Sequence, residues 1–253
     1  MTNVSRYAVT GLLAAASLLS ARSEAGVTIN GTRIVYPAES KEVTVRLGNP
    51  ADAPIALVQV WLDDGDEKAS PETAKVPFVV MPPLFRIEPG KGQAVRLLYT
   101  KAPLPADKES LFWFNLLDVP PKAAPDAEGR NILQFALRTR IKMFFRPAGL
   151  PGTPEGAPEQ VEWKLVPAAD ANGVSLQARN PTPYYVNYAS VAVTLGGHTY
   201  PSEKRGGMVA PGGTTVFEVQ GLPGHAGTGM KVDVTTISDL GAQQELSQPV
   251  ISP

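Results

Sequence analysis

The sequence predicts an all-β protein built from two sandwich domains. Apolar and polar residues alternate in many short runs, which is the two-residue period of a strand. The 25 prolines and 23 glycines lie between these runs, and turn signals recur about every eight to twelve residues, as in a sandwich. We find no helical period longer than a turn or two. A proline- and glycine-rich segment then separates the strands into two groups.

The first 25 residues predict a secretory signal peptide. Arg6 supplies a positive charge, Tyr7 to Ser20 is a short apolar run, and Ser23 to Ala25 provides small residues for cleavage. The apolar run is shorter than the roughly 20 residues that a membrane-spanning helix needs. We therefore expect an exported mature chain that begins near Gly26.

Strand patterns then follow one another to the middle of the chain. Asn49-Pro50 and Pro82-Pro83 predict turns, and the acidic stretch Asp63 to Lys75 predicts a solvated loop. The predicted strands are Val27–Tyr36, Lys41–Leu47, Ile55–Leu62, Phe78–Met81, Gln93–Thr100 and Leu111–Leu117.

The clearest strand pattern covers Asn131 to Pro147. Large apolar residues occupy alternate positions and only Thr139 interrupts them, whereas the positions between are mostly polar. The apolar set is Leu133, Phe135, Leu137, Ile141, Met143 and Phe145. At roughly 3.3 Å per residue the run would extend about 50 Å, and such a strand at an open sheet edge is an aggregation hazard. We expect another protein to pair with it; the alternative is that its hydrophobic residues fill this protein's own core.

The second group of strands follows a linker. We predict domains at residues 26–147 and 159–253, joined by a linker over residues 148–158. Asn180-Pro181 repeats the Asn49-Pro50 pattern of the first half, which fits two related sandwiches in tandem. The predicted strands are Glu162–Val166, Val174–Ala178, Tyr184–Leu195, Thr214–Val219 and Lys231–Ile237.

Composition argues against several functions. A net charge of −1 gives no electrostatic footprint for nucleic acid, and no later segment predicts a membrane span. The chain has no cysteine. Its two histidines, His198 and His225, have no acidic residue at ligand spacing, and we find no nucleophile elbow or phosphate loop. We predict neither catalysis nor a metal or other cofactor.

Five motifs resemble those of the periplasmic chaperones of the chaperone–usher pathway, which fold and deliver pilus subunits. They appear in the family's order and near its spacing, over almost the whole mature chain. They are TRIVYP (32–37), RIEPG (86–90), ESLFWFNLLDVPP (109–121), IKMFFRP (141–147) and NPTPYY (180–185).

The resemblance implies two immunoglobulin-like domains in an L or boomerang arrangement, with a cleft between them. It implies that Arg33 and Lys142 anchor the C-terminal carboxylate of a pilus subunit. It also implies a donor strand and an interdomain charge network. The donor residues would be Leu133, Phe135 and Leu137, and the network would be Glu109, Arg146 and Asp239.

Other implications concern partners and subclass. The expected partners are a pilus subunit, in a one-to-one complex, and an outer-membrane usher; a self-capping dimer of the free protein stays open. The family often carries a cysteine pair that this chain lacks. The loop Lys122 to Arg130 suggests the short-loop branch, whose members usually serve rod-forming pili. At Pro82-Pro83 the family has a cis-proline turn, although trans is the commoner state. The alternative function is a secreted tandem sandwich that acts as an adhesin or ligand-binding module.

Overall fold

We analysed a computed structural model of the chain, which describes residues 26–121, 134–168, 173–222 and 229–251. The predicted signal peptide, the predicted loop over residues 122–130, Leu133 and His225 lie outside these ranges. In the described residues two separate hydrophobic cores are present; the first lies before the predicted linker, and the second includes Ala157 of the predicted linker and the residues after it. The predicted two-domain all-β fold is confirmed.

The first domain is a sandwich of two sheets. One sheet has the order β1-β3-β7-β5 and the other β2-β9-β8-β4-β6. Side chains from both sheets, such as Val95 and Phe114, are fully buried between them. The strands are Thr28–Ile29 (β1), Arg33–Pro37 (β2), Val43–Gly48 (β3), Ala56–Asp63 (β4), Phe78–Met81 (β5), Leu84–Ile87 (β6), Gly92–Tyr99 (β7), Ser110–Val119 (β8) and Leu137–Arg146 (β9).

The second domain repeats this arrangement after a short 3₁₀ helix at Pro158–Gln160. One sheet has the order β10-β11-β15; the other has β13-β12-β16-β17, with β14 also paired to β12. The strands are Glu162–Pro167 (β10), Val174–Arg179 (β11), Val186–Leu195 (β12), His198–Pro201 (β13), Gly207–Val209 (β14), Thr214–Phe217 (β15), Lys231–Ile237 (β16) and Gln243–Pro249 (β17).

The prediction of one strand over Val27–Tyr36 is wrong. The segment forms β1 in one sheet and β2 in the other. Gly31 lies between them with a φ of +121°, a conformation that only glycine adopts readily. The chain therefore crosses from one sheet to the other at this glycine.

The long strand is shorter than predicted. It begins at Leu137, and residues 134–136 are not part of the ladder. Its neighbour β8 pairs with it only as far as Asp118, opposite Leu137. Pro120 and Pro121 follow, and proline has no N–H to donate to a ladder, so the pairing ends there.

The two neighbours of β9 cover unequal parts of it. On one edge β8 pairs antiparallel with Leu137–Phe145, whereas on the other β2 runs parallel only from Arg33, opposite Lys142, to Pro37, opposite Arg146. Within the described residues no strand pairs with the β2-side edge over residues 137–141, which we call the open half of β9.

The repeated Asn-Pro pair has the same role in both domains. Asn49 and Asn180 are buried, and each donates its side-chain amide to a backbone carbonyl just after the turn, at Pro54 (2.8 Å) and Tyr184 (2.7 Å). A second bond ties each turn to another segment, through the carbonyls of Ile87 and Val209. The sequence echo therefore marks two equivalent turns.

Several strands had no clear sequence signal. The Met81–Pro82 bond is cis, and β6 follows that turn. The strand β17 is mostly polar and exposed and pairs only with β16 at the edge of its sheet, so it lacks the apolar alternation that would predict it. The unpredicted strands are β6, β13, β14 and β17.

We predict that Gly31→Ala destabilises the first domain. At a φ of +121° a side chain costs about 1–3 kcal/mol, and urea denaturation should show a loss of that size in the free energy of unfolding. Gly48→Ala is the control, since Gly48 lies in β3 without a positive φ and its added Cβ would be 3.4 Å from Thr28 Oγ1. Equal effects of the two substitutions would contradict the special role of Gly31.

Candidate functional site

Arg33 and Lys142 lie side by side where the two domains meet. They are register partners in the parallel pairing of β2 and β9, so their side chains project from the same face of the sheet. Both side chains contact the second domain: Lys142 Nζ donates to Asn187 Oδ1 at 2.6 Å, and Arg33 Nη1 donates to the Ile237 carbonyl at 3.2 Å.

The electrostatics of this pair favour an anion. Burial, assisted by the nearby charge of Arg33, lowers the pKa of Lys142 to about 8. Burial also lowers the pKa of Arg33, although Asp239 acts in the opposite direction. Arg33 Nε is buried and has no hydrogen-bond partner among the described residues. An anion bound here would reduce the repulsion between Arg33 and Lys142, and it would accept a hydrogen bond from Arg33 Nε.

The predicted donor residues are on the apolar face of the open half of β9 and just before it. Phe135 is 75% exposed and Leu137 is 58% exposed, whereas Met143 and Phe145, further along the same face, are buried in the first core. Leu133 lies outside the described residues. The two described side chains therefore do not fill this protein's own core.

The predicted charge network connects the two domains. Arg146, at the end of β9, donates from Nε to Glu109 Oε1 at 2.6 Å and makes two bonds to the carboxylate of Asp239, at 2.7 and 3.1 Å. The other oxygen of Glu109 accepts the backbone N–H of Tyr185 at 2.7 Å. Hydrogen bonds and charges from Asp239 and Glu109 outweigh the effect of burial and raise the pKa of Arg146.

Sequence reasoning missed two features of this region. It did not identify Asn187, which is buried; the usable signal was a polar residue close after the NPTPYY motif, inside a predicted strand. It also placed Asp63 in a solvated loop, which is wrong: Asp63 is fully buried at the end of β4 and pairs with Arg140 of β9. A run of acidic residues usually marks solvent, and the arginine that holds this one is 77 residues away.

The described part of the chain offers no alternative site of the kinds considered from sequence. It contains no group of three or more histidine, cysteine, aspartate or glutamate side chains placed to hold a metal ion. Among the same residues, no helix has the length and apolar character to cross a bilayer. His198 is exposed on β13.

The fold and the site define a two-domain β-sandwich protein with an open strand half next to a cationic pair. Comparison with known families agrees. Residues 26–151 match the family described as pili and flagellar-assembly chaperone, PapD N-terminal domain, and residues 156–248 match pili assembly chaperone PapD, C-terminal domain. The chain belongs to this family of pilus-assembly chaperones.

Individual relatives cover nearly the whole chain. The probable fimbrial chaperone YadV of Escherichia coli is 44% identical over 89% of this chain and 90% of its own length. The crystal structure of YadV chaperone superimposes with a TM-score of 0.74, at 40% identity, over 88% of this chain and 98% of that one. A Salmonella enterica complex of SafA pilin with the SafB chaperone matches with a TM-score of 0.71, at 30% identity, over 90% of this chain and 97% of that one.

We predict that Arg146→Ala loosens the contact between the domains. It leaves the buried Glu109 next to Asp239 without the cation between them, and breaking a buried pair costs about 3–5 kcal/mol. Urea denaturation should show a loss of that order in the free energy of unfolding. Arg179→Ala is the control, because the Arg179–Glu162 pair is exposed and should contribute no more than about 1 kcal/mol. Equal losses would contradict the bridging role of Arg146.

Proposed function

We propose that this protein is a periplasmic chaperone that binds, folds and caps pilus subunits by donating β9 to them, and that it delivers them to an outer-membrane usher. The observation that supports this most directly is the open half of β9, where Leu137 is exposed on the apolar face, together with the exposed Phe135 just before the strand. The SafB relative, whose structure was solved with a pilin, supports a pilin as the partner. The apolar segment with its positive charge before Gly26 supports export.

Strand donation uses both the edge and the apolar face of β9. A subunit sandwich that lacks a strand presents unpaired backbone groups and an open apolar groove. A donated strand supplies main-chain hydrogen bonds and fills the groove with alternate side chains. Burial of Phe135 and Leu137 at about 1.5–3 kcal/mol each gives about 3–6 kcal/mol before ordering costs. Leu133 is assigned to the same groove.

Arg33 and Lys142 are proposed to hold the C-terminal carboxylate of the subunit. Charge-assisted hydrogen bonds contribute about 1.5–3 kcal/mol each. The pair lies where the open half of β9 ends and β2 begins, so a carboxylate held there stops the subunit strand at a defined position. Because a slip of one residue would turn every side chain to the wrong face, this anchor sets the register.

The charge network is proposed to maintain the geometry of the cleft between the two domains. Arg146 follows the anchor on the same strand, and its bonds to Glu109 and Asp239 span the junction between the domains. The carbonyl of Ile237, which contacts Arg33, is two residues from Asp239. The network therefore positions the side of the cleft that the second domain provides.

A pull-down from periplasm tests the function. The tagged protein should recover small β-rich subunits in a one-to-one complex, and the mass of the recovered protein would identify the cargo. Recovery of no such subunit would contradict the proposal and favour the adhesin or ligand-binding alternative. Size exclusion of the free protein over a concentration series tests whether it caps its open edge with a second copy.

We predict that Leu137→Glu weakens subunit binding by roughly 3 kcal/mol or more, because a charge would enter an apolar groove. Thermal unfolding of the free protein should change little, since Leu137 is mostly exposed. Leu240→Glu is the control: Leu240 is 95% exposed in the turn between β16 and β17. If Leu137→Glu unfolds the free protein, Leu137 belongs to its own core and the assignment is wrong.

We predict that subunit affinity is nearly constant between about pH 6 and about pH 8, where the subunit carboxylate is ionised, and that it falls above about pH 8. Lys142, with a pKa of about 8, must be protonated to bind a carboxylate, so at higher pH binding has to take up a proton. The dissociation constant should then rise by up to tenfold per pH unit. Lys142→Ala should fold, lose most of the affinity and lose this pH dependence; Arg33→Ala should also lose affinity. A flat profile between pH 7 and 9.5 for the wild-type protein would contradict the anchor.

A further inference from the structure

The polar face of the open half of β9 is attached to the rest of the sheet by a buried carboxylate. Asp63, the last residue of β4, is fully buried. Its Oδ1 accepts from Arg140 Nη2 at 2.5 Å and from the Gly65 N–H at 2.8 Å, and its Oδ2 accepts from Asn115 Nδ2 at 2.7 Å. Three segments of the first domain therefore converge on one carboxylate.

A second arginine extends this connection towards the exposed end of the strand. Arg138 donates from Nε and Nη2 to Asn115 Oδ1, at 3.0 and 2.8 Å, and from Nη1 to the Glu67 carbonyl at 2.6 Å. The two guanidinium groups also lie over aromatic rings: Arg138 is 4.8 Å from the Trp61 centroid, and Arg140 is 4.2 Å from the Trp113 centroid. Planar guanidinium groups favour such stacking.

We propose that Asp63 is a positioning residue, which acts through Arg140, Asn115 and Arg138 to hold the open half of β9 in the orientation that a subunit strand requires. This inference rests on the proposed function. It assigns a role to the face of β9 that the subunit does not contact.

The open half needs such an attachment because the usual constraints are missing there. The strand β2 is absent from its free edge, Leu137 is mostly exposed, and in the described residues the apolar face of this half contacts the first core through Ile141. The ladder to β8 is its only backbone pairing within the described residues, and a strand paired on one edge can twist about that ladder. On the polar face, the contacts of Arg138 and Arg140 with Asp63 of β4 and Asn115 of β8 prevent this rotation.

The charges favour a fixed arrangement. Burial would raise the pKa of Asp63, but hydrogen bonds from Arg140, Asn115 and Gly65 outweigh it, and the pKa is lowered. The carboxylate therefore stays ionised at neutral pH. Arg140 pairs with this carboxylate directly and Arg138 lies 3.6 Å from it. Both cations belong to β9, so rotation of β9 would leave a buried charge unpaired.

Amide hydrogen exchange of the free protein, followed residue by residue, tests the positional role. In Asp63→Asn, the amides of residues 137–141 that pair with β8 should exchange at least tenfold faster, whereas those of β12 and β16 should not change. Arg138→Met, which keeps the apolar stem and removes the guanidinium, should act in the same direction. Glu162→Gln is the control, since it removes another acid–arginine pair between neighbouring strands, at 2.9 Å from Arg179, without touching β9.

Subunit capture from periplasm, with equal amounts of folded protein, gives the second readout. Recovery should fall about tenfold for Asp63→Asn and Arg138→Met and stay unchanged for Glu162→Gln. Recovery equal to wild type, or faster exchange spread over both domains, would overturn the positioning role. If Asp63→Asn does not fold, Arg138→Met decides by the same two readouts. Failure of the wild-type protein to capture any subunit would instead refute the proposed function, and this inference with it.

Discussion

The pairing of β2 with only the second half of β9 is the constraint on which the rest of the site depends. Where β2 is present, the apolar face of β9 is buried, as at Met143 and Phe145; before β2 begins, the same face is exposed at Leu137. One strand therefore completes its own sandwich at one end and, among the described residues, has an unpaired edge at the other. The boundary between these two halves coincides with Arg33 and Lys142.

Arg33 and Lys142 at that boundary repel each other, and contacts with the second domain stabilise them. Two like charges in a half-buried position repel each other and lose solvation. The carbonyl of Ile237 and the side chain of Asn187 provide acceptors, and the bonds of Arg146 to Asp239 hold this part of the second domain in place. The same geometry suits a carboxylate, which would neutralise the repulsion. In the proposed complex the hydrophobic contacts and the carboxylate anchor contribute comparable free energies, and the anchor also defines the alignment.

The local sequence pattern predicted some of these features and could not predict others. The period of two identified the face that holds both Leu137 and Met143, but only the position of β2, about a hundred residues away in sequence, decides that one is exposed and the other buried. The crossing at Gly31 was missed because alternation continues on both sides of it. Asp63 was placed in solvent because its partners are distant in sequence. Arg33 and Lys142 came from the family resemblance, and the structure brings them together through the β2–β9 register.

The most direct measurement is amide exchange along β9 in the free protein and in its complex with a captured pilus subunit. The amides of residues 137–141 that do not pair with β8 should exchange freely in the free protein and become at least 100-fold slower in the complex, because the subunit would supply the missing strand. If these amides stay unprotected while protection increases elsewhere, β9 is not the donated strand and the account is wrong.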